Sequence, residues 1–176
     1  MVNIQALTSV NFSDEILDSF ERKQETTQVM VVDSNRLLKK EERFEDDWTL
    51  ERKREIVTHF KSTIAQGGVV ILAQREKDVL GFAVIEPETF GECSTYRELS
   101  YLHTSFPSRR MGIGRRLFNE AKKTAKQLGV AKLYIGAHPS VETQSFYKRM
   151  GCVLAEEINP TIYKREVRDL QLEVRV

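Results

Sequence analysis

The chain has 176 residues, a length that suits a single domain spanning 1–176. Its 27 basic and 26 acidic residues nearly balance, which argues against nucleic-acid binding. Its few Cys and His residues lack the spacing of metal ligands, so no metal site is predicted. With no signal-peptide features and no apolar run near the ~20 residues of a membrane span, we expect a cytoplasmic protein without a membrane partner.

The first third of the chain predicts a short strand and two helices. Residues 2–7 are predicted as the strand, and Ser13 as the N-cap of the first helix. A second helix is predicted to begin near Thr49 and to end at Gly67, with apolar residues on one face. The stretch 39–61 mixes charges of both signs and is interpreted as a solvated helix face.

The middle of the chain predicts strands joined first by a turn and then by a helix. The β-branched runs 69–73 and 79–85 are close enough to form an antiparallel hairpin. A third strand is predicted at 98–104, then a basic loop, an amphipathic helix at 113–128 and a strand at 131–137. This β-α-β unit predicts that its two strands are parallel.

The last part of the chain predicts a short helix and a strand. Residues 143–150 have apolar positions at helical spacing, and Gly151 closes that helix. Residues 170–176 alternate apolar and polar, which predicts a half-buried strand that could pair within the sheet or across a homodimer. The predicted fold is α/β (α+β), a mixed sheet of six to seven strands with about four helices packed on its faces.

The sharpest local feature is the segment S-R-R-M-G-I-G-R-R-L-F at 108–118, between a strand and a helix. Gly112 and Gly114 allow close approach of the backbone to a ligand, and the free N–H groups of the first helical turn favour an anion. The segment lacks the Lys-Ser/Thr of a P-loop and the third glycine of a dinucleotide fingerprint. It predicts a phosphate site; the alternative is a tight turn with solvent-exposed arginines.

Several motifs together resemble the GNAT superfamily of N-acetyltransferases. The pattern R-x-x-G-x-G at 109–114 resembles its Q/R-x-x-G-x-G/A signature, and E-L-S-Y-L-H-T at 98–104 resembles its fourth strand. The segment 140–152 resembles its N-x-x-A-x-x-F-Y…G-F segment, and 79–82 a hairpin strand carrying V-x-G. The resemblance covers about 68–155 and implies a mostly antiparallel sheet and acetyl-CoA as cosubstrate.

The resemblance also implies which residues hold acetyl-CoA. The backbone N–H groups implied to hold the pyrophosphate, next to the signature residue Arg109, are those of Arg110, Met111, Gly112, Ile113, Gly114 and Arg115. The residues implied to pair with the pantetheine amides are Leu102, His103 and Thr104, with an oxyanion site near Leu102. Ser140 replaces the family's frequent Asn, and either binds the cosubstrate or caps the following helix.

Two catalytic residues follow from the resemblance. Tyr147 matches the tyrosine near the CoA sulfur, and its implied role is to protonate or stabilise the departing thiolate; the alternative is a core tyrosine. Glu98 occupies the position of a strand-four glutamate that serves as the base; the alternative is an ordinary strand-end carboxylate. By period two we expect Glu98 to share a face with Leu102 and Thr104, and His103 to face the other way. His138 is a second candidate base.

The leading functional hypothesis is acetyl transfer from acetyl-CoA to a primary amine of a small molecule or a protein. A CoA-binding module without catalysis is the alternative from another class. Nucleic-acid binding through the basic loop is disfavoured by the balanced charge. A homodimer is left open, since members of this family are often dimers.

Overall fold

Seven strands form one sheet, and two further strands form a separate hairpin. The computed structural model describes all residues, 1–176. In chain order the elements are β1 (Asn3–Ala6), β2 (Glu25–Asp33), β3 (Arg36–Glu45), α1 (Leu50–Ala65), β4 (Val69–Arg75), β5 (Asp78–Phe90), β6 (Tyr96–Thr104), α2 (Ile113–Gln127), β7 (Lys132–Ala137), α3 (Val141–Arg149), β8 (Val153–Leu154), α4 (Pro160–Arg165) and β9 (Leu170–Arg175). No helix is both long and apolar enough to cross a membrane.

The order of strands in the sheet is β1-β4-β5-β6-β7-β9-β8, and only β6 and β7 run parallel. This confirms the predicted mixed, mostly antiparallel sheet with about four helices. The C-terminal strand β9 pairs within the sheet, between β7 and β8. The prediction that β9 is half-buried is wrong, because Gln171 and Glu173 on its polar side are also buried, under 160–165 and its flanking segments.

Helices cover both faces of the sheet, and the β4–β5 hairpin contributes to both cores. On what we call the α2 face, Leu117 and Phe118 of α2 pack with Ile71 and Ala83. On the opposite α1 face, α1 packs against Phe82, whose ring centroid lies 5.0 Å from that of Phe60. Burying a phenylalanine contributes about 2–3 kcal/mol, so these contacts fix both helices relative to the central strands.

The predicted helix after Ser13 is wrong: residues 14–19 form consecutive turns. Ser13 Oγ accepts a hydrogen bond from the N–H of Glu15, as a turn does, rather than capping a helix. Arg54 of α1 then donates to both carboxylate oxygens of Asp18, at 2.7 and 2.6 Å. A short segment that gains its contacts from a neighbouring helix need not form the costly first helical turn itself.

The hairpin of β2 and β3 is the largest element that the sequence patterns did not indicate. The interpretation of 39–61 as a helix face is therefore wrong for 39–45, which lies in β3. It is right for the part that lies in α1. Nearly every residue of β3 is exposed, so the strand lacks the alternation of a half-buried strand. The hairpin is fastened through β2, where Val29 is buried and Met30 N donates to Pro139 O at 2.7 Å.

Candidate active site

Strands β6 and β7 separate halfway along their length and leave a gap in the sheet. They pair only from Tyr96 with Lys132 to Glu98 with Tyr134, after which β7 pairs with β9 alone. The N–H of Ser105, just after β6, donates to Leu80 O of β5 at 2.9 Å, so it points away from the gap. Because successive strand residues direct their backbone groups to opposite sides, the N–H groups of Leu102 and Thr104 point into the gap. The open edge of β6 can therefore pair with an extended ligand.

The basic loop ends beside this gap at the start of α2. The backbone N–H groups of 110–115 have no backbone acceptor within the chain; the first bonded N–H of the helix is that of Arg116, to Gly112 O at 3.1 Å. Arg110 and Gly112 both have positive φ, +64° and +75°, which turns successive N–H groups toward one side. A row of free donors at a helix N-terminus favours an anion such as a pyrophosphate.

Arg109 points away from these free donors. Its guanidinium donates to Lys23 O at 2.5 Å and lies 5.2 Å from the centre of the Phe106 ring. Partial burial lowers its pKa. The side chain of the signature arginine therefore fastens the loop to the segment before β2, and the backbone of the loop is what faces a ligand.

Tyr147 lies in α3 with its ring in the core of the α2 face. It is 6% exposed, and its ring centroid lies 6.0 Å from that of Phe118. Burial is the main cause that raises the pKa of its hydroxyl well above the ordinary value. The hydroxyl thus stays protonated at neutral pH, as a proton donor must, so the core position is compatible with the predicted role.

Ser140 is fully buried and caps α3. Its Oγ accepts a hydrogen bond from Thr143 N at 3.3 Å and donates one to Thr143 Oγ1 at 2.9 Å. Gln24 Nε2, from the segment before β2, donates to the same oxygen at 3.0 Å. The structure thus shows the capping contact; contact between Ser140 and acetyl-CoA stays a prediction.

Glu98 is paired with Arg165 at the end of α4. Arg165 Nη1 and Nη2 donate to the two carboxylate oxygens at 3.0 and 2.8 Å, and the Glu98 side chain is 11% exposed. Burial raises the pKa of Glu98, while the charge and hydrogen bonds of Arg165 oppose that rise. Nothing in the sequence indicated Arg165, because no local motif links positions 67 residues apart.

A β-bulge at Ser100 changes which residues share a face with Glu98. The ladder pairs Val84 with Tyr101 but Ile85 with Leu99, so Ser100 is an extra residue. The period-two expectation is therefore wrong beyond this point. Leu102 packs with the α2 face, and Thr104 lies beside Gly114 of α2.

The α1 face beside Glu98 instead carries aromatic and histidine side chains. The His103 ring lies 4.8 Å from that of Trp48, so the prediction that His103 faces away from Glu98 is wrong. Burial, followed by the charge of Arg22, lowers the pKa values of both His103 and His138. His138 Nδ1 already accepts the N–H of Ser140 at 3.2 Å, which makes this nitrogen a poor proton acceptor.

Glu86 forms a second polar cluster on the same face. It accepts hydrogen bonds from Ser100 and from Thr63, the latter at 3.2 Å, and pairs with His59 at 2.7 Å. The hydrogen bond with Glu86 raises the pKa of His59, although burial opposes it. Glu86 on β5 and Glu98 on β6 are thus both already bound to cationic or hydroxyl groups.

Comparisons with known proteins place this geometry in a family. The chain is similar to nourseothricin acetyltransferase, with a TM-score of 0.69, 16% identity and coverage of 98% of both chains. It is equally similar to a protein assigned as streptothricin acetyltransferase from Bacillus anthracis in complex with acetyl coenzyme A (TM-score 0.69, 15% identity, 100% of this chain and 99% of that chain).

A third similar structure is a GNAT family acetyltransferase from Elizabethkingia anophelis with acetyl-CoA bound (TM-score 0.53, 18% identity, 69% of this chain and 82% of that chain). At these identities the structural likeness shows the fold alone. No curated protein matches the sequence.

The family itself is shown by the sequence model of the acetyltransferase (GNAT) family, which matches residues 34–152. The match includes β6, the basic loop, α2 and α3, the elements that border the gap, and confirms the predicted acetyltransferase family. Because it spans more than half of the chain, the chain belongs to the GNAT family of acetyltransferases.

Proposed function

We propose that the protein transfers the acetyl group of acetyl-CoA to a primary amine of a small basic molecule, by direct attack in a ternary complex. The observation that carries the proposal is the row of unpaired N–H groups at 110–115 beside the open edge of β6. The free N–H groups of the loop fit a pyrophosphate. The open edge of β6 fits an extended chain of amides, which would lie beside it as a neighbouring strand does. The two structural neighbours with acetyl-CoA bound support this cosubstrate.

The chain's own groups would hold the cosubstrate mainly through backbone atoms. The N–H groups of the loop would bind the pyrophosphate, and Leu102, His103 and Thr104 would provide the strand that the pantetheine amides pair with. Because the N–H of Leu102 points into the gap, it is the donor we assign to the thioester carbonyl oxygen, where negative charge develops.

Direct attack needs a neutral amine, since an ammonium group has no free electron pair. An amine with a pKa of ~10.4 costs about 4–5 kcal/mol to deprotonate at pH 7, so a base must take the proton. Glu98 is the base that the family position suggests, although its bidentate pair with Arg165 must open first. Tyr147 would donate a proton to the departing thiolate.

The acceptor we favour is a small molecule with several amines. Two observations support this class over a protein acceptor. The structures named nourseothricin and streptothricin acetyltransferase match the chain over nearly its whole length, including the hairpin before α1. Asp169, which precedes β9 and lies against Gly136 of β7, has a carboxylate without an ion-pair partner, and such a group attracts a cationic amine.

The test is acetyl-CoA-dependent release of free CoA, measured by mass spectrometry with streptothricin, spermidine, free amino acids and a lysine peptide. We expect turnover with streptothricin or the polyamine, and lower turnover with Glu98→Gln and Tyr147→Phe at unchanged acetyl-CoA affinity. Binding of acetyl-CoA without turnover on any amine would favour the non-catalytic CoA-binding module. Absence of acetyl-CoA binding would refute the proposed site itself.

Further parts of the proposal concern the whole chain. We propose that 1–176 acts as one catalytic domain in the cytoplasm, without a nucleic-acid or membrane partner. A homodimer stays a prediction, which light scattering tests.

A further inference from the structure

Asp169 lies at the end of the sheet where β6 and β7 have separated. It immediately precedes β9, whose first residue Leu170 pairs with Ala137, the last residue of β7. The turn that places it there is closed by its own N–H, which donates to Glu166 O at 3.1 Å. No sequence motif singles out this residue, since its position depends on how β9 pairs with β7.

The carboxylate of Asp169 packs against the backbone of β7. Gly136 has no side chain, and Oδ2 of Asp169 lies 3.9 Å from the point that a Cβ there would occupy. The residue is half-buried, and its carboxylate has neither an ion-pair partner nor a side-chain hydrogen bond within the chain. Glu98 differs, because it is bound to Arg165 through both oxygens.

The charged groups around Asp169 favour its protonated form. Burial is the main cause that raises its pKa to about 7, and the negative charges of Glu166 and Asp46 act in the same direction. The positive charge of Arg168 opposes them; Arg168 is itself bound to Glu166 and to Glu42, and Asp46 is bound to Arg22 at 2.8 Å. A group that titrates near neutral pH accepts and releases protons efficiently under physiological conditions.

Tyr147 lies in the core of the α2 face, in the same cluster as Ala137 at the end of β7 and Leu170 at the start of β9. The negative charge of Asp169 contributes to raising the pKa of the Tyr147 hydroxyl, after burial and Cys152, so the two groups are close enough to interact. Asp169 lies on the opposite side of β7, next to Gly136. Ile162, on the α1 face, lies beside Gly136 on that same side. A thioester held in the gap would have a proton donor on one side and a free carboxylate on the other.

We propose that Asp169, rather than Glu98, is the base that accepts the proton of the acceptor's ammonium group. This inference rests on the proposed function. The ammonium transfers one proton to the Asp169 carboxylate, and the freed electron pair on nitrogen attacks the thioester carbon. The tetrahedral intermediate then expels the thiolate by breaking the C–S bond, and Tyr147 protonates that sulfur.

The nitrogen then carries two protons: one passes to the tyrosinate and returns it to its neutral form, and the other stays as the N–H of the amide. Asp169 releases its own proton to solvent. The products are the amide, CoA thiol and one proton, so no further reactant is needed.

The experiment measures kcat/KM for streptothricin from pH 5.5 to 9 for the wild type, Asp169→Asn, Glu98→Gln and the control Glu166→Gln. We expect the wild-type value to rise through a midpoint near the Asp169 pKa of about 7. Asp169→Asn should lose about 10²–10⁴-fold at pH 7 at unchanged acetyl-CoA affinity. It should regain activity about tenfold per pH unit as the free amine increases.

The other variants separate this role from a structural one. In Glu98→Gln, kcat/KM should still fall below the same midpoint near pH 7, even where turnover is lower. Glu166→Gln should stay active with its midpoint moved to lower pH, because one negative neighbour of Asp169 is gone. The assignment would be overturned if Asp169→Asn kept the wild-type dependence of kcat/KM on pH. It would also be overturned if Glu98→Gln lost the fall of kcat/KM at low pH. A wild type that binds acetyl-CoA but acetylates no amine would instead contradict the proposed function, and the inference with it.

Discussion

Replacing Asp169 by Asn should make the protein more stable above neutral pH. Asn has nearly the same shape as Asp, so the packing against Gly136 is kept, but it carries no charge to desolvate. In the folded state, burial raises the pKa of Asp169 from 3.8 to about 7. The folded protein therefore holds a proton on this group between about pH 4 and pH 7, whereas the unfolded chain does not.

The sign and size of the effect follow from this difference in proton binding. Because the folded state binds one more proton at Asp169 in that window, the contribution of Asp169 to the wild-type free energy of unfolding falls as pH rises from 4 to 7, then levels off. The shift is about three pKa units, and one unit is worth 1.36 kcal/mol, so the upper bound is about 4 kcal/mol. Solvent reaches the half-buried carboxylate and screens it, so we expect a gain of about 2 kcal/mol at pH 8.

The assay is urea unfolding of the wild type and Asp169→Asn at pH 4.5 and pH 8. The variant should exceed the wild type only slightly at the lower pH and by about 2 kcal/mol at the higher one. Asp33→Asn, at the exposed turn of the β2–β3 hairpin, controls for the loss of one negative charge. Equal stability of the two proteins at pH 8 would show that the carboxylate is not desolvated, and would refute the reasoning.

Three further predictions concern the loop, the candidate acid and the core. Gly112→Ala should cost about 1–2 kcal/mol of stability and weaken CoA binding in calorimetry, because Gly112 has a φ of +75°. Gly114→Ala should leave stability nearly unchanged, since its Cβ would meet its neighbours at an ordinary 3.5–3.7 Å; an equal loss of stability in both variants would contradict this. Tyr147→Phe should lower kcat about 100-fold without changing acetyl-CoA affinity, and an unchanged kcat would exclude the hydroxyl from catalysis. Lys132→Met should cost about 3–5 kcal/mol in urea unfolding, because it leaves Glu173, 6% exposed and 2.6 Å from Lys132, without its cation. The double change with Glu173→Leu should recover most of that loss; no recovery would argue against an ion-pair origin.

The elements that the sequence predicted well are those whose signals are local. The β4–β5 hairpin, α2 and α3 each combine an apolar period with an end signal within a short stretch, such as Gly129 or Gly151 at positive φ. The loop of free N–H groups was predictable for the same reason, because the glycines and the helix start lie within 109–116; that it binds an anion stays a prediction.

The elements that it predicted badly are those held by distant partners. The exposed β3 strand lacks a periodic signal, and its contacts outside the hairpin come from residues far along the chain: the Phe44 ring lies 5.4 Å from that of His138, and Glu42 accepts a hydrogen bond from Arg168 at 3.3 Å. The bulge at Ser100 appears only in the pairing of β6 with β5, yet it moves His103 to the face of Glu98. A one-residue insertion in a strand reverses every side chain beyond it, so a count along the sequence fails there.

The sequence by itself determined the family, the order of strands and helices around the gap, and the loop suited to an anion, since each depends on neighbouring residues along the chain. Only the tertiary structure decided which carboxylates are free. Arg165 reaches Glu98 across 67 positions, whereas Asp169 is left unpaired beside Gly136 by the pairing of β9 with β7. The proton affinity of a carboxylate depends on burial and nearby charge, which arise only when distant segments meet.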